Sequence, residues 1–171
     1  MQASLCTAPD LEGKDLVPRK TTKVCFVCTG NTCRSPMAAY LADDIAKKQF
    51  PGCGFRFDSA GIATSDGYPA TDHAVEALAE LGIDGSDHRS KAFQPYMVEL
   101  ADRIVCMTAM HKQALCRAFP GSADKIFVIG ELSGTGNDIP DPYMGSFSLY
   151  CLTRDKLREE ITLILERCKN V

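Results

Sequence analysis

The chain has no tryptophan, only three histidines, and no apolar run approaching the roughly 18 residues that a membrane-spanning helix requires. The N-terminal segment also lacks the apolar stretch of a secretory signal, so neither membrane insertion nor export is expected. Charge of one sign is missing too. Lys and Arg number 19 against 22 Asp and Glu, for a net charge of -3. That balance removes the electrostatic argument for nucleic acid or an anionic membrane as partner. Any anion recognised by this protein must be held by local geometry. The histidines lie far apart and no Cys/His grouping has zinc-ligand spacing, so no metal site is expected. There is no internal repeat and no low-complexity segment.

What is present is an ordinary globular composition, 171 residues with 45% hydrophobic and 24% charged. A chain of this length buries most of an apolar core without staples. Residues 1–21 mix Pro, Gly and charge without period and read as a flexible tail, leaving one domain over 22–171. The nine cysteines are scattered through periodic apolar segments. Disulfide scaffolds are short, secreted and poor in core, so these cysteines are expected to be reduced, in a cytoplasmic monomer. Cys25, Cys53, Cys106, Cys151 and Cys168 read as small core residues.

From Lys23 onward, short β-rich runs alternate with longer helical ones, the pattern of a parallel sheet with crossover helices. "KVCFV", "GFRFDSA", "RIVCM" and "KIFVI" are the expected strands. Helices are expected over Pro36–Gln49, with Ser35 as N-cap and Pro36 first inside, and over "TDHAVEALAELG", stopped by Gly82. Others follow at Gln94–Leu100, "AMHKQALCRAF" and Leu149–Lys169, with "GELSGTGNDIPDPYMGSFS" as a long loop before the last. The fold class is therefore α/β, a four-stranded parallel doubly wound sheet with helices on both faces. Function in such sheets sits on loops beyond the carboxyl ends of strands.

"VCFVCTGNTCRSP", Val24 to Pro36, occupies such a place. A strand ends at Val27, a turn follows, and a helix opens near Ser35 and Pro36. Backbone N–H groups of such a turn converge on one point, and the helix N-terminus adds unpaired donors and a positive dipole end. This is an anion cradle. Gly30 allows close backbone approach, and Asn31 tolerates a left-handed conformation. The same donors favour the thiolate form of Cys28, a nucleophile. Arg34 offers a planar fork that grips two phosphoryl oxygens and follows them into a trigonal transition state. Ser35 reads as a helix cap first, and as a hydroxyl for the Cys28 sulfur second. A leaving group must also be protonated. Asp141, before Pro142, has a backbone biased away from helix, so its carboxyl projects from the loop and serves as acid, then as base. Asp138 is the neighbouring alternative.

"VCTGNTCRSPMA", "DSAGI", "AVEALAELGI", "DRIVCMTAMHK" and "IPDPYMGS" together resemble the low-molecular-weight protein tyrosine phosphatase family, from about Lys23 to the C-terminus. The resemblance implies a cofactor-free phosphatase working through phosphocysteine on phosphorylated proteins. It makes Cys28 the nucleophile, Arg34 the phosphoryl-binding residue, and Asp141 the acid and base. Thr29, Gly30, Asn31, Thr32, Cys33 and Ser35 form the expected substrate-binding loop, with Tyr143 at the pocket mouth.

One position departs from the tyrosine-directed majority of that family, which carries an aliphatic residue where this chain has Thr32. Thr32 resembles instead the bacterial protein arginine phosphatases of the same family. Its hydroxyl keeps the β-branched shape and adds a polar contact for a guanidinium or an attacking water. Phosphoarginine is thus the expected substrate and phosphotyrosine the alternative, with Tyr143 able to line the mouth for either. Cys33 reads as a packed loop residue or as a partner that forms a reversible disulfide with oxidised Cys28. Two rivals fit less well. A thioredoxin-linked arsenate reductase would need a cysteine relay, for which Cys106 and Cys116 are poorly placed, and a phosphopeptide-binding module would not need Cys28, Arg34 and Asp141 together.

Overall fold

The strand beginning at Thr22 lies at the middle of the molecule. The computed structural model describes residues 21–169, and the tail expected over 1–21 falls, apart from Thr21, outside them. Four strands, β1 (Thr22–Cys28), β2 (Phe55–Gly61), β3 (Arg103–Cys106) and β4 (Ile126–Val128), form one sheet in the order β2-β1-β3-β4. All three pairings are parallel, with Cys28 opposite Gly61 and Val27 opposite both Ala60 and Cys106.

Successive side chains of β1 point to opposite faces and build two apolar layers. Phe26 and Cys28 enter a core with α1 (Arg34–Gln49), α2 (Asp72–Ala79) and α6 (Phe147–Lys169). Cys25 and Val27 enter the other, against α3 (Pro95–Leu100) and α4 (Ala109–Ala118). Met37, Leu41 and Ile45 on α1, like Leu157, Ile161 and Leu165 on α6, recur at every fourth residue and are buried. That spacing gives each helix one apolar stripe, which α1 lays on the sheet and α6 lays against α1. Each such side chain contributes about 1.5–3 kcal/mol of burial. Lys47 and Lys48 pair with Asp43 and Asp44 one turn earlier on the exposed face of α1, an i,i+4 arrangement.

Some boundaries differ from expectation. Helix α1 begins at Arg34, so Ser35 is inside the first turn and not its cap; Cys33 holds the cap position without a side-chain bond. Pro36 is tolerated there because first-turn N–H groups have no intrahelical partner. Gly82, at φ 74°, does end the second helical segment. It does so through the paired bonds Gly82 N–H to Ala79 O and Ile83 N–H to Leu78 O, with Ile83 and Leu78 in one apolar cluster. Inside the stretch read as a loop lies a short helix, α5 (Ile129–Ser133), capped by Gly134 at φ 81°. Five residues are too few to show a helical period. A 3₁₀ turn over Pro120–Lys125 was likewise not expected. Cys25 and Cys106 are core residues, but Cys53 and Cys151 are half-buried and Cys168 is exposed. No helix among the described residues is long and apolar enough to cross a membrane.

Candidate active site

The sheet order reverses between β1 and β3, so α1 and α4 leave on opposite faces and a crevice opens beyond the strand ends. A cleft of about 710 Å³ lies there. Cys28, Thr29, Gly30, Thr32, Cys33 and Arg34 line one side, residues 68–72 another, and Asp141 and Tyr143 the mouth.

Cys28 ends β1, and the chain then turns tightly into α1. Its sulfur lies 2.9 Å from Ser35 Oγ and accepts from the Asn31 N–H at 3.3 Å. The Asn31 N–H is thus aimed at the sulfur, and the Ser35 hydroxyl lies within hydrogen-bond reach of it. Ser35 thus takes its second reading rather than its first, and its hydroxyl also reaches Ala60 O at 3.3 Å.

Asn31 is the keystone of the turn. It has φ 53°, as its residue type suggests, and is completely buried. Its Nδ2 donates to Ser35 Oγ and Ser59 Oγ, both at 2.9 Å, while Oδ1 accepts from Lys91 N at 2.8 Å. His88 Nε2 donates to Asn31 O at 2.7 Å, and burial lowers the pKa of that imidazole. Asn31 and Ser35 therefore do not line the cleft with their side chains; they hold the loop from behind. Gly30 needs glycine less than expected, since an added Cβ would meet nothing closer than Thr32 Oγ1 at 3.5 Å. A more stringent glycine beside the loop is Gly61 at the end of β2, where a Cβ would come within 2.6 Å of Thr29 O.

Arg34 is buried, its Nη2 2.5 Å from Asp141 Oδ2 and its Nη1 donating to Ile139 O at 3.2 Å. Asp141 is half-exposed, and its Oδ1 accepts from Tyr143 N at 3.2 Å, a turn in which the carboxylate folds back over Pro142. Asp138 instead accepts from Ala109 N at 3.0 Å at the start of α4, outside the cleft lining. Of the two carboxylates, only Asp141 meets Arg34. Tyr143 is 62% exposed at the mouth, with Tyr68 on the far side at 57%.

Cys33 Sγ sits among three hydroxyls: Tyr150 Oη at 3.3 Å, Thr71 Oγ1 at 3.4 Å and Thr32 Oγ1 at 3.7 Å. Burial and the Cys33 contact push the Tyr150 phenol up to about 12. The reductase relay has no footing, because Cys106 is completely buried in β3 and neither it nor Cys116 lines the cleft.

Sequence reasoning missed Gly61, His88, His111 and Tyr150. His111 is buried on α4, 2.9 Å from both Thr29 Oγ1 and Thr108 Oγ1. Burial, and then the positive charge of Arg34, push it down to about 4. Neither His88 nor His111 was singled out from the sequence beyond the absence of metal-ligand spacing; the runs "DHRSK" and "MTAMHK" in which they stand were the available signal.

A sulfur held in a donor-rich turn, a buried guanidinium and a carboxyl at the mouth suit covalent transfer of a phosphoryl group. Comparison with known proteins agrees. The family model for low molecular weight phosphotyrosine protein phosphatase matches residues 23–171. The chain is 40% identical over 147 residues to a protein-arginine-phosphatase of Bacillus subtilis, covering 85% of this chain and 96% of that one. A crystal structure of a YwlE mutant from Bacillus subtilis superposes with TM-score 0.83 at 39% identity, over 87% of this chain and 99% of that one. A YwlE arginine phosphatase in a cysteine-to-serine form with a phosphorylated active-site serine gives TM-score 0.82 at 39% identity, over 86% and 96% of the two chains. The chain belongs to the low molecular weight phosphotyrosine protein phosphatase family.

Proposed function

We propose that this protein is a protein-arginine phosphatase in which Cys28 is the nucleophile, Arg34 the phosphoryl clamp, and Asp141 the general acid and base. The observation that carries the substrate assignment is Thr32. Its hydroxyl is on the cleft lining, and beyond the long 3.7 Å contact to Cys33 Sγ it has no hydrogen-bond partner among the described residues. A phosphoarginine brings guanidinium N–H groups that a phenyl ring lacks, and an unoccupied hydroxyl acceptor suits them. The relatives named protein-arginine-phosphatase support the same reading.

The incoming phosphoryl group gives Arg34 a dianionic partner in place of Asp141 and releases that carboxyl toward the leaving group. Cys28 sulfur attacks phosphorus, the P–N bond breaks, and Asp141 supplies the proton to the departing guanidine nitrogen. Ser35 and the Asn31 N–H steady the sulfur as it later leaves. In the second step Asp141 takes a proton from water, the oxygen attacks phosphorus, the S–P bond breaks and inorganic phosphate departs. No cofactor enters either step. We place this activity in the cytoplasm, in a monomer acting on phosphorylated proteins.

The exposed rings of Tyr68 and Tyr143 favour phosphotyrosine as a second reading, since both could flank a phenyl group. The test is kcat/KM of the reduced protein on matched peptides bearing phosphoarginine or phosphotyrosine, with Cys28→Ser as blank. A phosphoarginine preference that Thr32→Ile erodes is expected. A phosphotyrosine preference, or one indifferent to Thr32→Ile, would overturn the assignment.

A further inference from the structure

His111 is not itself part of the cleft lining, yet it bonds a residue that is. It occupies the third position of α4, whose N-cap is Thr108. The Thr108 hydroxyl oxygen accepts from the His111 backbone N–H at 3.4 Å and lies 2.9 Å from Nδ1 of the same residue. On the other side of the ring, Nε2 is 2.9 Å from Thr29 Oγ1, and Thr29 is an exposed residue of the cleft wall.

Hydrogen-bond accounting selects one arrangement of protons. If Nδ1 carried the proton, Thr108 Oγ1 would accept twice and its own O–H would have no acceptor among the described residues. If both nitrogens carried protons, the same misfit would arise, with a second cation buried near Arg34. With the proton on Nε2, Thr108 accepts from the backbone and donates to Nδ1, and Nε2–H donates to Thr29 Oγ1. Every polar atom of the chain is then used once in its proper sense. The Thr29 hydroxyl, having accepted from the ring, keeps its own proton free for the cleft.

We propose that His111 is a positioning residue that fixes the Thr29 hydroxyl as a hydrogen-bond donor to a phosphoryl oxygen bound in the cleft. The relay runs from the α4 cap through a neutral imidazole to the phosphate loop. It would add a side-chain donor to the backbone donors of the cradle. The same corner of the fold also carries the acid loop, through Ile139 N–H to Met107 O at 2.8 Å and Ala109 N–H to Asp138 Oδ1 at 3.0 Å. Imidazole at this place therefore ties the nucleophile loop to the mount of the acid loop. The inference rests on the phosphatase reading but not on which phosphorylated residue is the substrate, so it is tested with inorganic phosphate.

Two measurements on the full chain decide it. In the unmodified protein labelled with 15N-histidine, ring nitrogen shifts at neutral pH are expected to report a neutral Nε2–H tautomer for His111, with the Nε2 signal moving as inorganic phosphate is added. An Nδ1–H tautomer, a protonated ring, or a signal indifferent to phosphate would overturn the proposal. In parallel, Thr29→Val is expected to raise the inhibition constant of phosphate against p-nitrophenyl phosphate turnover by about tenfold or more, the worth of a hydrogen bond to a charged group. Thr29→Ser should restore most of it, and His111→Phe should cost as much as Thr29→Val. The double variant should lose no more than either alone. Losses that multiply in the double variant would mean that His111 acts on the fold and not through Thr29. If His111→Phe does not fold, the ring shifts and the Thr29 variants carry the test.

Discussion

Replacing Asn31 by alanine should be among the most damaging single changes behind the cleft. The substitution removes three side-chain hydrogen bonds, two donated by Nδ2 and one accepted by Oδ1, from a residue with no exposed surface. At about 1 kcal/mol each, with the Lys91 N–H left without its acceptor, the polar loss is about 3 kcal/mol. Alanine at φ 53° adds about 1 kcal/mol of backbone strain, for a total of about 4 kcal/mol. For a chain of this size that corresponds to a fall in Tm of about 8–16 °C. Asn31→Gly loses the same bonds but not the conformational fit, and should retain about 1 kcal/mol over the alanine variant. Urea unfolding followed by far-UV circular dichroism measures both, since the chain has no tryptophan to report. A loss below about 1 kcal/mol for Asn31→Ala would refute the reasoning about the buried polar network, and a glycine variant less stable than the alanine variant would refute that about the backbone.

Three further outcomes follow from the same geometry. Ser35→Ala removes the hydroxyl 2.9 Å from the Cys28 sulfur. It should slow departure of the thiolate about 10- to 100-fold, the worth of a charge-assisted hydrogen bond, and rapid-quench kinetics should show a burst followed by slow turnover. Stability should fall on acidification between about pH 6.5 and pH 4, because His111 is held at about 4 when folded and takes up its proton near 6.5 when unfolded. The unfolded state binds more protons in that window, so Tm plotted against pH should flatten there in His111→Asn. Cys33→Ser should abolish recovery of activity by thiol after mild peroxide treatment, measured as residual turnover, if Cys33 is the partner of oxidised Cys28. Equal recovery in the variant would exclude that role.

Local chemistry carried much of the fold into the sequence. The alternation in Val24–Val27, the spacing of Met37, Leu41 and Ile45, and Gly82 after an apolar helix each have a meaning within a few residues. Asn31 was legible as a left-handed residue, and Asp141 was preferred to Asp138 because the proline that follows biases its own backbone away from helix; in the structure it is Asp141 that meets Arg34. What stayed hidden depends on register between distant segments. Gly61 is required only because β2 pairs with β1 so that its end abuts Thr29 O. His88 and His111 reach the loop across separations of 57 and 82 residues. Of the two readings of Ser35, the cap looked the safer because the serine stands before a proline, and only the position of Cys28 shows that its hydroxyl reaches the sulfur instead.

The most direct test of the central claim is to trap the intermediate. Asp141→Asn, which keeps the size of the side chain but supplies no proton and accepts none, is mixed with p-nitrophenyl phosphate, whose good leaving group needs no acid. The mixture is quenched in acid during turnover and digested for mass spectrometry. A phosphoryl group is expected on the peptide containing Cys28, at higher occupancy than in the unmodified enzyme and absent from Cys28→Ala with Asp141→Asn. Continued turnover with no phosphoryl group on Cys28, or with one on another residue, would contradict the account.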